Sequence, residues 1–184
     1  MRTTDRRFIK TEKTIVDSCV VLLNEEKMAY ITIEDVCHRA DVNKSTFYLH
    51  YQSLDALFSA IEDAAITLLF KEISVTSTSN LEGLIDPLVS FAKTNKKLLR
   101  AAYSIDRYRF NTKFRNLLLP YLKKTKPDKR GKIDDENIFI EVSLIDFVSS
   151  VLRMYVLDGC HYKQEEIVEI ITSIIKTEKF KSVL

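Results

Sequence analysis

Glycine and proline are so scarce in this chain that they limit the folds open to it. Only 3 of the 184 residues are glycine and 3 are proline, whereas an average protein has about 7% glycine and about 5% proline. Sandwiches, barrels and doubly wound sheets need these residues at many tight turns. We therefore expect an all-α fold. With 46% hydrophobic and 29% charged residues, the composition is that of a globular protein.

The sequence also limits where the protein resides. No apolar run approaches the roughly 18 residues of a membrane span, and the first ten residues lack the apolar core of a signal peptide. The cysteines, Cys19, Cys37 and Cys160, are odd in number and contain no C-x-x-C pair, which is typical of a reducing compartment. We predict a cytoplasmic protein with no membrane partner.

Residues that could perform catalysis are dispersed. His38, His50 and His161 lack the spacing of zinc ligands, and the few glycines are too far apart to form a phosphate-binding loop. We expect no enzymatic activity, no cofactor and no metal site.

Apolar residues recur with helical spacing throughout the chain and predict about nine helices. The first runs from residue 6 to 24. Thr32 opens a short helix that ends near Ala40, Asp41-Val42-Asn43 forms a turn, and a second short helix covers residues 44–51. Asn43 is placed to cap that helix, and Val42 and Phe47 occupy the positions of a hydrophobic staple. This is a helix-turn-helix arrangement.

The remaining helices begin with a long one that Ser53 caps. Further helices are predicted at 81–94, 97–105, 108–123, 135–158 and 164–180, with a charged loop at 124–132. Pro87 introduces a kink or a second start in the first of these, and Pro120 can end the helix at 108–123 early. We place a helix-turn-helix domain at residues 1–52 and a helical effector-binding and dimerisation domain at residues 53–184.

The second short helix presents an unusual set of polar side chains. It carries Lys44, Ser45, Thr46, Tyr48 and His50, with no carboxylate between Asn43 and Leu54. Such a helix start suits phosphates and base edges. From spacing alone, DNA binding and an ordinary surface helix both stay open. The same holds for the basic first 13 residues, which are either a solvated terminus or an arm toward DNA.

The segment 31–51, ITIEDVCHRADVNKSTFYLHY, resembles the DNA-binding domain of the tetracycline-repressor (TetR) family. The resemblance extends from about residue 13 to residue 58, and V-N-K-S-T-F-Y-L-H-Y is its most specific part. It implies a three-helix DNA-binding domain, a linking fourth helix and a helical effector domain whose last helices pair with a second copy. Leu54 stands where the family commonly has a lysine, and Asp41 where it has a glycine.

The resemblance also implies roles for matching positions. Thr32 would contact a phosphate while capping its helix. The start of the recognition helix would enter the major groove, and Tyr48 and His50 would contact the DNA backbone. The predicted DNA-binding residues are Thr32, Asn43, Lys44, Ser45, Thr46, Tyr48 and His50.

Aromatic residues in the middle of the chain are either core or the lining of an effector pocket. Arginines among them favour an anionic or polar effector if they face inward, and a solvated basic surface if they do not. The candidate pocket residues are Tyr103, Arg107, Phe110, Phe114 and Phe147.

The last two predicted helices are apolar on more than one face. The chain's own helices can cover one face, and a second copy across a two-fold axis can cover the other. The alternative is a larger monomeric core. The candidate dimer residues are Leu152, Tyr155, Ile167, Ile171 and Ile174.

Together these features predict a homodimeric, TetR-like regulator that binds double-stranded DNA. We expect a repressor released from a palindromic operator by a small-molecule effector. The alternative function is a helix-turn-helix-shaped interaction module controlled by a protein partner.

Overall fold

The computed structural model describes residues 6–26, 28–76, 78, 80–122 and 135–176, and these ranges are helical without any β-strand. They contain nine α-helices: α1 Arg6–Glu25, α2 Ile33–Ala40, α3 Lys44–His50, α4 Leu54–Ser74, α5 Ile85–Thr94, α6 Lys96–Ile105, α7 Arg107–Leu118, α8 Asp135–Leu157 and α9 Gln164–Ile175. The all-α prediction is confirmed. The predicted loop at 124–132 and the end of the last predicted helix lie outside the described residues.

The chain divides into two compact units. The first unit takes its described residues from Met1–Ala65 and Lys97–Arg107, and the second takes them from Ile66–Lys96 and Tyr108–Leu184. The first unit extends beyond the predicted domain at residues 1–52, because the start of α4 and most of α6 share its core.

The core of the first unit is built by residues from five helices. Its fully enclosed side chains are Ile15 and Cys19 of α1, Val36 of α2, Phe47 of α3, Leu57 and Ile61 of α4 and Ala101 of α6. The spacing of Ile15, Cys19 and Leu23 places them on one stripe of α1, as predicted. The Asn24 amide donates a hydrogen bond to the carbonyl of Lys97 at 2.9 Å, which joins the end of α1 to α6.

Pro87 and Pro120 lie at helix boundaries. Pro87 is the third residue of α5, where its missing N–H would have had no partner in the helix. Pro120 lies in the 3₁₀ turn Leu119–Tyr121 that follows α7. α7 therefore ends at Leu118, earlier than the predicted residue 123, and Pro87 marks a second start after the 3₁₀ turn Glu82–Leu84.

The second unit packs α5 against α8 and α9, and α7 against α8. Leu88, Phe114, Leu144 and Ile171 are buried in it. The guanidinium of Arg115 makes a bidentate ion pair with Asp146, in which Nε donates to Oδ1 at 3.1 Å and Nη2 donates to Oδ2 at 2.7 Å. None of the described helices is both long and apolar enough to cross a lipid bilayer.

We expect Phe47→Ala to lower the free energy of unfolding by about 3–5 kcal/mol, because it leaves a cavity where a fully buried ring stood. Leu49→Ala is the matched control, since Leu49 lies on the same helix and is 63% exposed, and it should change stability by less than about 0.5 kcal/mol. Urea titrations of the full chain measure both. Equal losses in the two variants would contradict the central role of Phe47.

Candidate nucleic-acid interface

The helix-turn-helix begins with a cap on α2. The backbone N–H of Asp35 donates to the Thr32 hydroxyl at 3.2 Å, and the N–H of Thr32 donates to the Asp35 carboxylate at 2.8 Å. The Thr32 hydroxyl donates to the same carboxylate at 2.6 Å. These bonds lower the pKa of Asp35. The predicted capping box is confirmed, with aspartate in the place usually taken by glutamate or glutamine.

The turn between α2 and α3 depends on a left-handed residue. Asp41 has a φ of 52°, a region that aspartate tolerates better than most residues. The next residue, Val42, donates its N–H to the carbonyl of Cys37 at 3.0 Å, and its side chain packs against the first unit's core. The Asn43 side chain then accepts a bond from the N–H of Thr46 at 2.7 Å, so Asn43 caps α3 as predicted.

Helix α3 has a buried side and an outward side. Phe47 is fully buried, whereas Lys44 and Ser45 are exposed and Tyr48 is 54% exposed. Thr46 and His50 are half-buried. The turn and the burial of Phe47 together present the start of α3 and Tyr48 to solvent.

Lys44 already has an anionic partner within the protein. Its ammonium group pairs with the carboxylate of Glu34 on α2, and this hydrogen bond raises the pKa of Lys44. Both side chains are largely exposed, so the pair contributes little to stability. A DNA phosphate would compete with Glu34 for the same ammonium group.

His50 occupies a more enclosed environment than the rest of the outward side. Its ring lies against Phe8 of α1 with a centroid separation of 3.9 Å and an interplanar angle of 31°. Its Nδ1 atom is buried and has no hydrogen-bond partner.

Two residues near this surface had no role in the sequence-based prediction. Leu49 is exposed on α3, and its position four residues after Ser45 was the signal that it shares the outward side. Phe8 gave no comparable signal, because its contact with His50 joins residues far apart in the chain.

The five predicted effector residues differ in their surroundings. Tyr103, Phe110 and Phe114 are buried, Phe147 is half-buried and Arg107 is exposed. A pocket of about 440 Å³ lies on α8 and α9 of the second unit, and none of these five residues lines it. Its lining is Val151, Met154, Tyr155, Asp158, Tyr162, Ile167 and Ile170.

The predicted dimer residues are mostly inside one protomer. Leu152, Tyr155, Ile167 and Ile171 are buried within the chain itself, and Ile174 is 38% exposed. The residues predicted for the dimer interface therefore lie largely on the inner face of α8 and α9, which packs within the second unit. Among the described side chains of these two helices, the large apolar ones that are exposed are Phe139, Met154, Leu157, Ile170 and Ile174.

The cysteine thiols and metal-ligating side chains form no reactive cluster in the described part of the chain. Burial raises the pKa of Cys19 to about 12, so its thiol stays protonated near neutral pH. No group of three or more histidine, cysteine or acidic side chains among the described residues is arranged to hold a metal ion.

The chain resembles known proteins in its structure. No protein-family model matches the chain, and no curated protein matches it in sequence. Solved structures do match. A TetR transcriptional regulator from Streptococcus agalactiae 2603V is 25% identical with a TM-score of 0.68, over 94% of this chain and 97% of that one.

Two further solved structures are similar at lower identity. NalD, the secondary repressor of the MexAB-OprM multidrug efflux pump in Pseudomonas aeruginosa, is 15% identical with a TM-score of 0.63, over 98% of each chain. The dihydroxyacetone kinase operon activator DhaS is 17% identical with a TM-score of 0.60, over 91% of this chain and 94% of that one. The chain has the fold of the TetR family of transcriptional regulators over almost its whole length.

We expect Thr32→Val to raise the pKa of Asp35 toward its ordinary value of 3.8, because the variant removes the hydroxyl that holds the carboxylate ionised. The folded-state pKa of Asp35 is depressed, so the cap adds stability above pH 3.8 and loses it as the pH falls through the folded-state pKa. Carboxyl NMR titration measures the change. Thr32→Ser keeps the hydroxyl and should keep the low pKa, and a low pKa in both variants would contradict the assigned cause.

Proposed function

We propose that the chain is a transcriptional repressor that binds a palindromic operator as a homodimer and leaves it when a small molecule binds. The observation that carries this proposal is the outward side of α3. Lys44, Ser45 and Tyr48 are exposed there without a carboxylate on the same helix, and the buried Phe47 holds them on a fixed frame.

The side chains on α3 suit two different kinds of DNA contact. The hydroxyls of Ser45 and Thr46 at the helix start can bond to base edges in the major groove. Lys44 and Tyr48 can reach phosphate oxygens, which position the protein without reading sequence. In a dimer, two such helices read successive major grooves about 34–36 Å apart.

Repression and release follow from this geometry. A dimer bound across a promoter excludes other proteins by occupancy alone. An effector that binds a conformation in which the two recognition helices have a different spacing lowers the affinity for DNA. DNA then lowers the affinity for the effector by the same factor. NalD is named a repressor and DhaS an activator, so the proposal of repression rests on occupancy and not on the fold.

An exposed leucine favours a second candidate function. Leu49 is 63% exposed beside Tyr48 on α3, and an exposed apolar pair of this kind suits a protein partner. In that case the domain would be an interaction module controlled by that partner. A thymine methyl group would also fit Leu49, so DNA binding accounts for it as well.

Selection of bound sequences from a random DNA pool tests the proposal directly. We expect an enriched palindrome whose half-sites are one helical turn apart. Binding to that palindrome should weaken steeply with salt, since each phosphate contact releases counterions. A pool without enrichment, together with binding that does not depend on salt, would overturn the DNA-binding role and leave the interaction module.

The double variant Lys44→Ala/Tyr48→Phe should bind the selected operator about 5- to 150-fold more weakly, since the two lost contacts together are worth about 1–3 kcal/mol. Fluorescence anisotropy measures the affinity, and circular dichroism checks that the fold is intact. Lys176→Ala is the matched control, because Lys176 of the second unit is also exposed and paired, with Glu82 at 2.7 Å. An unchanged affinity in the folded double variant would contradict the assignment of α3.

Glu34→Gln should bind the operator about two- to fivefold more tightly, because it releases Lys44 from an exposed ion pair, a weak interaction that a DNA phosphate would otherwise have to displace. It also removes a negative charge next to the phosphate site. Glu25→Gln serves as control, since Glu25 pairs with Arg39 in the same unit. Anisotropy titrations at one salt concentration compare them, and equal effects of the two substitutions would argue against competition for Lys44.

We also propose that the exposed apolar side chains of α8 and α9 form the dimer interface. Met154, Leu157 and Ile170 are 64%, 42% and 47% exposed. Met154 and Ile170 border the pocket on these helices, which a second copy can fill. An isologous interface of this kind would hold two recognition helices for a palindrome.

Ile170→Arg should convert the dimer to monomer, because the substitution buries an unpaired charge in the interface. Sedimentation equilibrium at micromolar concentration should give twice the chain mass of 21.3 kDa for the wild type and that mass for the variant. Val75→Arg is the control, since Val75 is 80% exposed on another part of the second unit. A monomeric wild type would contradict the proposed dimer.

A further inference from the structure

The contact between Phe8 and His50 joins two helices at the proposed DNA-binding surface. Phe8 is the third residue of α1 and His50 is the last residue of α3. Their ring centroids are 3.9 Å apart and their planes are inclined by 31°. This is close to a stacked arrangement, so Phe8 restricts rotation of the imidazole about its side-chain bonds.

The enclosure of His50 distinguishes its two ring nitrogens. Nδ1 is buried and has no hydrogen-bond partner. A neutral imidazole carries its proton on one nitrogen only. A buried N–H without an acceptor is rarer and more costly than a buried acceptor without a donor. The neutral ring therefore keeps its proton on Nε2, and that N–H is the one it can donate.

We propose that Phe8 is a positioning residue for DNA binding that acts through His50. Its ring fixes the imidazole plane and shields Nδ1 from water, so His50 offers its Nε2–H to the DNA backbone in one orientation. This role rests on the proposed DNA-binding function. The tautomer of His50 does not depend on that function and can be measured without DNA.

Removal of the Phe8 ring should leave the fold intact, because α1 and α3 have other contacts. One turn further along α1, the Glu12 carboxylate interacts with Tyr51, the residue that follows α3. Burial, together with Glu12, raises the pKa of Tyr51 to about 12. Ile15 and Phe47 also remain in the shared core. A substitution at Phe8 therefore tests the orientation of His50 separately from the packing of the unit.

Imidazole nitrogen chemical shifts test the tautomer. The protein is labelled with ¹⁵N-histidine and studied near pH 8.5, above the ordinary histidine pKa of about 6.5. Wild-type His50 should show a single Nε2–H tautomer. The exposed His38 provides reference shifts in the same spectrum. Phe8→Ala should move the His50 shifts toward those of His38, and Phe8→Tyr, which keeps the ring, should restore the wild-type shifts. Wild-type His50 shifts equal to those of His38 would overturn the inference.

A double-mutant cycle on operator affinity tests the role in binding. Phe8→Ala should weaken binding about three- to tenfold in the wild type and cause no further loss when combined with His50→Ala. Ile9→Ala, at an exposed neighbouring position, should have no effect in either background. The same loss in both backgrounds, or no loss at all, would overturn the role of Phe8 alone. A wild type that binds no DNA would instead overturn the proposed function, while the chemical shifts would still decide the tautomer.

Discussion

Complete burial of Phe47 is the constraint on which the recognition surface depends. A seven-residue helix such as α3 is too short to be stable by itself, so tertiary packing must hold it. Phe47 supplies that packing, since it has no exposed surface and sits among side chains from the other helices of the first unit. Once this ring is fixed, helical geometry places Ser45 on the opposite side of α3 and Tyr48 on its flank, while Lys44 is exposed at the first residue of the helix.

Local chemistry made the helix-turn-helix predictable from the sequence. The caps at Thr32 and Asn43 and the left-handed turn at Asp41 depend on residues within three or four positions of one another. Such interactions leave a signature in the order of residues. The start of α5 and the end of α7 were predictable for the same reason, because Pro87 and Pro120 restrict the backbone at their own positions.

Tertiary packing determines which sides of the last two helices are buried within the protomer, and the sequence alone does not show this. Helices α8 and α9 are apolar on more than one side, and periodicity does not tell which side the protomer covers itself. Leu152 and Ile171 proved to be inner residues, whereas Met154 and Ile170 are exposed. The contact between Phe8 and His50 was equally hidden, since 41 positions separate them and neither residue type requires the other.

The inclusion of α6 in the first unit affects how this unit folds during protein synthesis. Ala101 and Ile105 complete a core whose other members all lie before residue 62. During synthesis, the core cannot close until the ribosome has released residues well beyond the helix-turn-helix, including all of α5. The recognition helix therefore gains its full support late, and a fragment that ends at residue 65 would leave part of that apolar core open to water.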